Sequence, residues 1–345
     1  MRFRLLTLAP ALLFAISLDV RAADAIISQQ INFPGGNSSL SGTLTLPAGI
    51  AFQVPGVVLI QGSGPTDRDG NQPPVIRTDL LRQLADALAR KGVASLRYDK
   101  RGMHANAAGR PEAEVDYASF FRWENFVADA AGAYRFLQRQ GPVDPGRVAI
   151  LGHSEGGLIA LAAAASLQAD GAAPPALILA ATPGRRMDVI LREQLERLLA
   201  EQRATPQQRR YFLAANTRIT RAIRETGSVP ETVPPGLAGF YPSYIGQFWQ
   251  SVLALDPATM ARAYPGSVLI LQGGTDTQIS AERDALVLDK ALGERPGGDH
   301  ALFIMPGTSH ALKPVDDEQV PGHEGDIDPG LLDRLTEWLL AKLAG

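Results

Sequence analysis

Apolar positions along the chain fall into two alternating patterns. Short continuous runs, Gly56 to Ile60, Val93 to Tyr98, Val148 to Leu151, Ala176 to Ala181, Ser267 to Gln272 and Ala301 to Met305, have the composition of strands buried on both faces. Between them lie stretches with helical spacing: Leu80, Leu81, Leu84 and Leu88 ahead of a stop at Gly92, a helix from about Trp123 to Gln140, and the Ala- and Leu-rich segment Gly157 to Leu167. Ser280 is placed to cap a helix from Ala281 to Leu292, and Asp328 followed by Pro329 starts a last helix to Leu343. Two early runs differ. Ile27 to Phe33 and Leu40 to Leu46 flank Pro34-Gly35-Gly36-Asn37-Ser38-Ser39, and the second alternates Leu40, Gly42, Leu44, Leu46 with Ser41, Thr43, Thr45, which predicts an antiparallel hairpin at a sheet edge. The expected fold class is therefore α/β, a mostly parallel eight-stranded sheet with helices on both faces.

From 185 to 264 the alternation stops. Met187 to Ala200 and Pro206 to Arg224 read as charged amphipathic helices, a Pro-rich loop spans Gly227 to Gly239, and the aromatic residues Phe240, Tyr241, Tyr244, Phe248 and Trp249 follow. This predicts a helical cap, 185–264, inserted into a main domain made of 23–184 and 265–345.

Residues 1–22 precede that domain. Met1-Arg2-Phe3-Arg4 is basic, Leu5 to Leu18 is apolar, and Val20-Arg21-Ala22 ends in small residues, the three-part form of a secretory signal with cleavage after Ala22 or Ala23. The apolar run is shorter than the ~20 residues a membrane span needs, so the expectation is an exported protein, periplasmic or extracellular, with no stable membrane anchor after cleavage. The chain has no cysteine, which excludes disulfides and zinc-thiolate sites, so stability rests on the core. Its formal charge of -3, with Lys and Arg nowhere gathered into a block, gives no field for nucleic acid. No His, Asp and Glu cluster has metal-ligand spacing and no G-x-G-x-x-G opens a helix after a strand, so no metal and no cofactor is expected.

Candidate chemistry centres on Gly152-His153-Ser154-Glu155-Gly156, a G-x-S-x-G between a strand and a helix. Glycines at both ends let the backbone turn sharply and push the serine outward. Alone the pentapeptide is weak, because with 34 glycines it arises by chance in very roughly one such sequence in six. Context carries it. In parallel sheets ligands bind beyond the carboxyl ends of the strands, and Ser154, Asp276 and His310 each fall just past such an end. The order Ser, Asp, His is the one in which the α/β-hydrolase fold presents its triad. Ser154 is the candidate nucleophile, His310 its base, and Asp276 the group that holds the imidazole tautomer. Among the other histidines, His323 is the competing base.

With these residues in view, the chain resembles secreted bacterial α/β-hydrolases of the serine esterase kind, close to dienelactone-hydrolase-like and serine-aminopeptidase-like carboxylesterases. The resemblance rests on Gly62 to Gly70 (G-S-G-P-T-D-R-D-G), Arg97 to Gly102 (R-Y-D-K-R-G) and Gly152 to Gly157 (G-H-S-E-G-G). It implies an oxyanion hole formed by the backbone N–H groups of Ser63 and Glu155. Gln61 stands where many relatives carry His, which alters the lining of that hole. Asp67, Arg68, Asp69, Asp99 and Arg101 are expected to brace the oxyanion loop rather than touch substrate. Tyr241, Tyr244, Phe248 and Trp249 either line an acyl pocket beneath the cap or pack the insertion onto the sheet. The implied activity is hydrolysis of small-molecule acyl esters through an acyl-enzyme. An aminopeptidase or acyl-peptide hydrolase, or a thioesterase, would use the same triad, and a binding protein that has lost turnover is the alternative from another class.

Overall fold

The strand runs are continuous because neighbouring residues on each strand serve two different cores. A computed structural model describes residues 26–315 and 322–344; the expected signal segment, 1–22, lies outside the described residues. Val58, Ile60, Ile150, Leu177, Leu179, Val268 and Ile270 point into one core. Their chain neighbours Val57, Leu59, Ala149, Leu151, Ile178, Ala180, Leu269 and Leu271 point into the other. With side chains alternating across the sheet, only helices on both faces keep every such residue dry.

The eight strands are β1 (Ile26–Pro34), β2 (Ser39–Pro47), β3 (Val54–Ile60), β4 (Ala94–Tyr98), β5 (Val143–His153), β6 (Ala176–Ala180), β7 (Ser267–Gly273) and β8 (His300–Met305), in the spatial order β1-β2-β4-β3-β5-β6-β7-β8. The β1–β2 hairpin is antiparallel and pairs antiparallel with β4, and every later pairing is parallel. Helices α1 (Leu80–Arg90) and α10 (Pro329–Lys342) cover one face through Leu81, Leu84, Leu88, Leu331, Leu335 and Leu339. The helical turn α2 (Tyr117–Phe120) leads to α3 (Trp123–Gln138), which with α4 (Glu155–Ala169) packs on the other face through Ala130, Leu137, Leu158 and Leu161. Asp328 caps α10, its side chain accepting from the Leu331 amide at 3.0 Å, with Pro329 opening the helix as expected.

Between β6 and β7 run α5 (Met187–Glu201), α6 (Pro206–Thr226), α7 (Gly246–Ala254) and α8 (Pro257–Ala263). The start of α6 is a capping box, Thr205 with Gln208, and its end is Gly227 at φ 69°. Helices α5, α6 and α7 pack together, and α7 also meets α3. The last helix of the 185–264 stretch, α8, lies against α4 and α9 (Leu286–Gly293), beside the sheet. The helix expected from Ala281 begins as a wide turn over Ala281–Ala285, with Ser280 capping the Arg283 amide at 3.2 Å, and becomes regular only in α9. Among the described residues no helix is long and apolar enough to cross a membrane, and no group of three or more His, Cys, Asp or Glu is placed to hold a metal ion.

Candidate active site

Steric crowding dictates the turn at Ser154. A Cβ on Gly152 would lie 2.1 Å from the Gly156 carbonyl oxygen, and one on Gly156 would lie 2.4 Å from the carbonyl oxygen of Ile60 on β3. Only glycine fits at either place. Between them Ser154 takes φ 55° and ψ -123°, a conformation an L-residue avoids unless its surroundings enforce it. The enforcement is visible: the Ser154 amide donates to Ala180 on β6 at 2.8 Å, and its carbonyl accepts from Gly157 at 2.9 Å. Helix α4 begins at the next residue, so the free amides of its first turn face the serine.

Asp276 and His310 follow the ends of β7 and β8 and meet directly, His310 Nδ1 to Asp276 Oδ2 at 2.7 Å, with the aspartate side chain fully buried. The other carboxylate oxygen accepts the amides of Gln278 at 2.7 Å and Ile279 at 2.9 Å, and Gln272 Nε2 adds a bond of 3.0 Å to Oδ2. Burial alone would raise this carboxyl; the neighbouring His310 and the bonds it accepts hold it below the usual aspartate value. An ionised Asp276 requires the Nδ1 proton of His310 and leaves Nε2 without a proton. Ser154 itself is tied to this pair through its neighbour: His153 Nε2 donates to the His310 carbonyl at 2.8 Å, and the two imidazole rings lie 4.8 Å apart. Among the described residues the Asp276–His310 bond is formed, whereas no hydrogen bond joins the Ser154 hydroxyl to His310.

Because a carbonyl can only accept, His153 must carry its proton on Nε2. Burial, followed by the nearby His310, pushes its pKa down to about 3. The unfolded chain therefore binds a proton that the folded chain refuses between pH ~6.5 and that value, and stability falls as the pH drops through the window by at most ~1.4 kcal/mol per pH unit. His153→Phe is expected to flatten the acid limb of Tm against pH between 6 and 4. An unchanged slope would mean that the folded protein protonates His153.

The oxyanion candidates lie alongside. A Cβ on Gly62 would approach the Ser154 Cβ to 3.3 Å, which sets Gly62 against Ser154. The amides of Ser63 and Glu155 have no protein acceptor among the described residues. Gln61 turns inward, its Nε2 donating to the Tyr98 carbonyl at 2.9 Å, so it ties β3 to β4. The expected bracing network is present: Arg68 pairs with Asp99 at 2.6 Å, Arg97 with Asp69 at 2.8 Å, and Asp67 accepts the amides of Asp69 and Asn71. Arg101 points elsewhere, to Asp129 on α3 at 2.8 Å, both side chains buried.

A cavity of about 170 Å³ lies within the 185–264 stretch, lined by Leu191, Leu195 and Leu198 of α5 and by Phe240 and Tyr241; Gln278 of the acid loop reaches its wall, but Ser154 and His310 do not line it. Of the four aromatics expected to line an acyl pocket, Tyr241 borders this cavity. Tyr244 and Phe248 instead complete an aromatic cluster with Tyr117, Phe121, Trp123 and Phe126. Trp249 stands behind the wall, its ring against Tyr241 and its Nε1 donating to the Phe240 carbonyl at 3.2 Å. Sequence reasoning missed α5 as a cavity wall and Lys100 as a neighbour of the site. The leucine spacing of α5 held the first signal, and nothing local held the second.

Comparison with known proteins gives the same neighbourhood. A family model described as serine aminopeptidase, S33, matches residues 78–314. Esterase EstD of Thermotoga maritima is 26% identical over 306 residues, 88% of this chain but 66% of that protein, so the chain spans less than two thirds of that relative. Among solved structures, Est1E of Butyrivibrio proteoclasticus with ferulic acid bound superposes with a TM-score of 0.56 at 15% identity, over 91% of this chain and 100% of the other. The α/β hydrolase GrgF from Penicillium sp. sh18 gives 0.55 at 19% identity, over 92% and 100%. At these identities the solved structures share the fold.

Proposed function

The chain belongs to the serine aminopeptidase S33 family of α/β-hydrolases, and from that premise we propose that it is a serine carboxylesterase acting on small acyl esters through an acyl-enzyme intermediate. The carrying observation is the strained Ser154 turn, with the Asp276–His310 pair joined to it through His153. In the reaction Ser154 Oγ attacks the ester carbonyl carbon while Nε2 of His310 takes its proton. The tetrahedral oxyanion forms against the amides of Ser63 and Glu155, each such donor being worth ~3 kcal/mol in the transition state. Collapse breaks the bond to the alcohol, which leaves with the proton from His310. Water then repeats the sequence on the acyl-serine and releases the carboxylic acid.

One observation favours esters over the aminopeptidase alternative. An aminopeptidase needs an unpaired carboxylate for the free amino terminus, whereas the buried carboxylates among the described residues are paired: Asp99 with Arg68, Asp129 with Arg101, Glu155 with Lys100, Asp276 with His310 and Asp284 with Arg185. The relative named an esterase supports the same reading. The test is a panel of acyl esters, thioesters and aminoacyl amides alongside a fluorophosphonate probe. Labelling at Ser154 with turnover of short esters is expected; an unlabelled, folded protein would refute the reading.

In this proposal the wall formed by Phe240 and Tyr241 bounds the acyl group, and the cavity behind it meets the catalytic loops at Gln278. Trp249→Ala removes the support behind Phe240 and Tyr241 and is expected to shift preference toward longer p-nitrophenyl esters. An unchanged chain-length profile would return Trp249 to simple packing.

A further inference from the structure

Lys100 lies just past the end of β4, the neighbour of β3 in the sheet, and its side chain is 5% exposed. An ammonium has three protons to place. They go to the carbonyl oxygens of Gly62 at 2.7 Å and Gly64 at 3.3 Å and to Glu155 Oε1 at 3.0 Å. All three acceptors belong to the two segments that carry the oxyanion donors. The Gly62 carbonyl and the Ser63 N–H are opposite ends of one planar peptide, so a bond that anchors the carbonyl fixes the direction in which the N–H is offered. Glu155 presents its own amide at the head of α4 while its side chain ends on the same ammonium. The intervening carbonyl, that of Ser63, is held separately by Thr66 Oγ1 at 2.8 Å and Gln72 Nε2 at 3.0 Å.

We propose that Lys100 is a positioning residue for the oxyanion hole, gripping the Gly62–Ser63 peptide by its carbonyl and tying it to the Glu155 end of α4. The inference rests on the hydrolase reading above. A cation on a peptide carbonyl draws electron density through the amide and strengthens its N–H as a donor. Charge-assisted bonds of this kind are about twice as strong as neutral ones, and a turn held before substrate arrives costs no reorganisation in the transition state. A purely structural role accounts for less, because a buried ion pair adds little net stability over an apolar pair of the same shape.

The test compares wild type with Lys100→Met and Lys100→Arg as full chains, with folding followed by circular dichroism. Turnover of p-nitrophenyl acetate is measured together with inhibition by an alkyl trifluoromethyl ketone, whose adduct with Ser154 carries an oxyanion. Lys100→Met is expected to lower kcat about 10- to 100-fold with KM changed less than about threefold, and to weaken the ketone by the same factor as kcat/KM. Lys100→Arg, which keeps the charge on a bulkier head, is expected to recover part of both losses. If Lys100→Met does not fold, the Lys100→Met/Glu155→Gln double variant, which leaves no unpaired buried charge, carries the same expectation. A folded variant with wild-type kcat and ketone affinity, or with its loss confined to KM, overturns the proposal. Wild type that a fluorophosphonate labels at Ser154 separates that outcome from failure of the hydrolase reading, which takes this inference with it.

Discussion

Ser154→Ala is expected to lower kcat for p-nitrophenyl acetate by roughly four to six orders of magnitude and to abolish fluorophosphonate labelling. The size of the effect follows from what remains. On the proposed mechanism no acyl-enzyme forms without the hydroxyl, and the Asp276–His310 pair can act only on a water that nothing holds at the carbonyl carbon. Residual rate comes from binding and from the oxyanion amides, which the substitution leaves in place. The fold is expected to survive: the conformation at position 154 is held by the close backbone approaches that Gly152 and Gly156 permit and by the bond from the 154 amide to Ala180, and alanine keeps all of these. Melting temperature and burst amplitude, measured on the same preparation, separate lost chemistry from lost structure. Substantial turnover by the folded variant would move the nucleophile elsewhere and remove the basis for the esterase reading.

The sites that could be read from the chain are those whose position depends only on strand ends. Once β5, β7 and β8 are recognised as parallel, Ser154, Asp276 and His310 must emerge on one edge of the sheet, whatever packs around them. Residues whose role depends on reach across strands were not legible. Lys100 sits in R-Y-D-K-R-G beside two other charges, and its choice of Gly62, Gly64 and Glu155 exists only because β4, β3 and β5 are adjacent. Arg101, one residue on, looks the same in sequence and serves α3 instead. In the 185–264 stretch, α7 has no side-chain cap to announce it, and its Phe248 finds its partners Trp123 and Phe126 on α3, far off in the chain. Helix α8 was legible in principle: Asp256-Pro257 is the same start signal as Asp328-Pro329, and Asp256 accepts the Thr259 amide at 3.1 Å. The wide turn at Ala281–Ala285 follows from tertiary demand, because Asp284 is buried to bind the Gly184 and Arg185 amides and the Arg185 guanidinium. Such a demand leaves no local trace.

Asp276→Asn is expected to lower kcat by roughly four orders of magnitude with KM little changed, through the hydrogen-bond polarity of its pocket rather than through lost volume. The aspartate is surrounded by donors: two backbone amides on Oδ1, and His310 Nδ1 with Gln272 Nε2 on Oδ2. The amides of Gln278 and Ile279 cannot reverse, so the single carbonyl oxygen of an asparagine goes to them. Its NH2 group must then face His310 Nδ1, and two donors cannot share that contact. The imidazole resolves the conflict by moving its proton to Nε2, which leaves the nitrogen proposed as the base unable to accept one. Gln272 cannot relieve the conflict cheaply, since its Nε2 also donates to the Ile279 carbonyl at 3.0 Å. The variant keeps the shape of the site, so affinity for a substrate analogue is expected to stay near wild type while turnover is lost. Steady-state kinetics with p-nitrophenyl acetate at pH 8 checks the outcome. Retention of even about a tenth of wild-type kcat would mean that the orientation of His310 is set by a group other than Asp276.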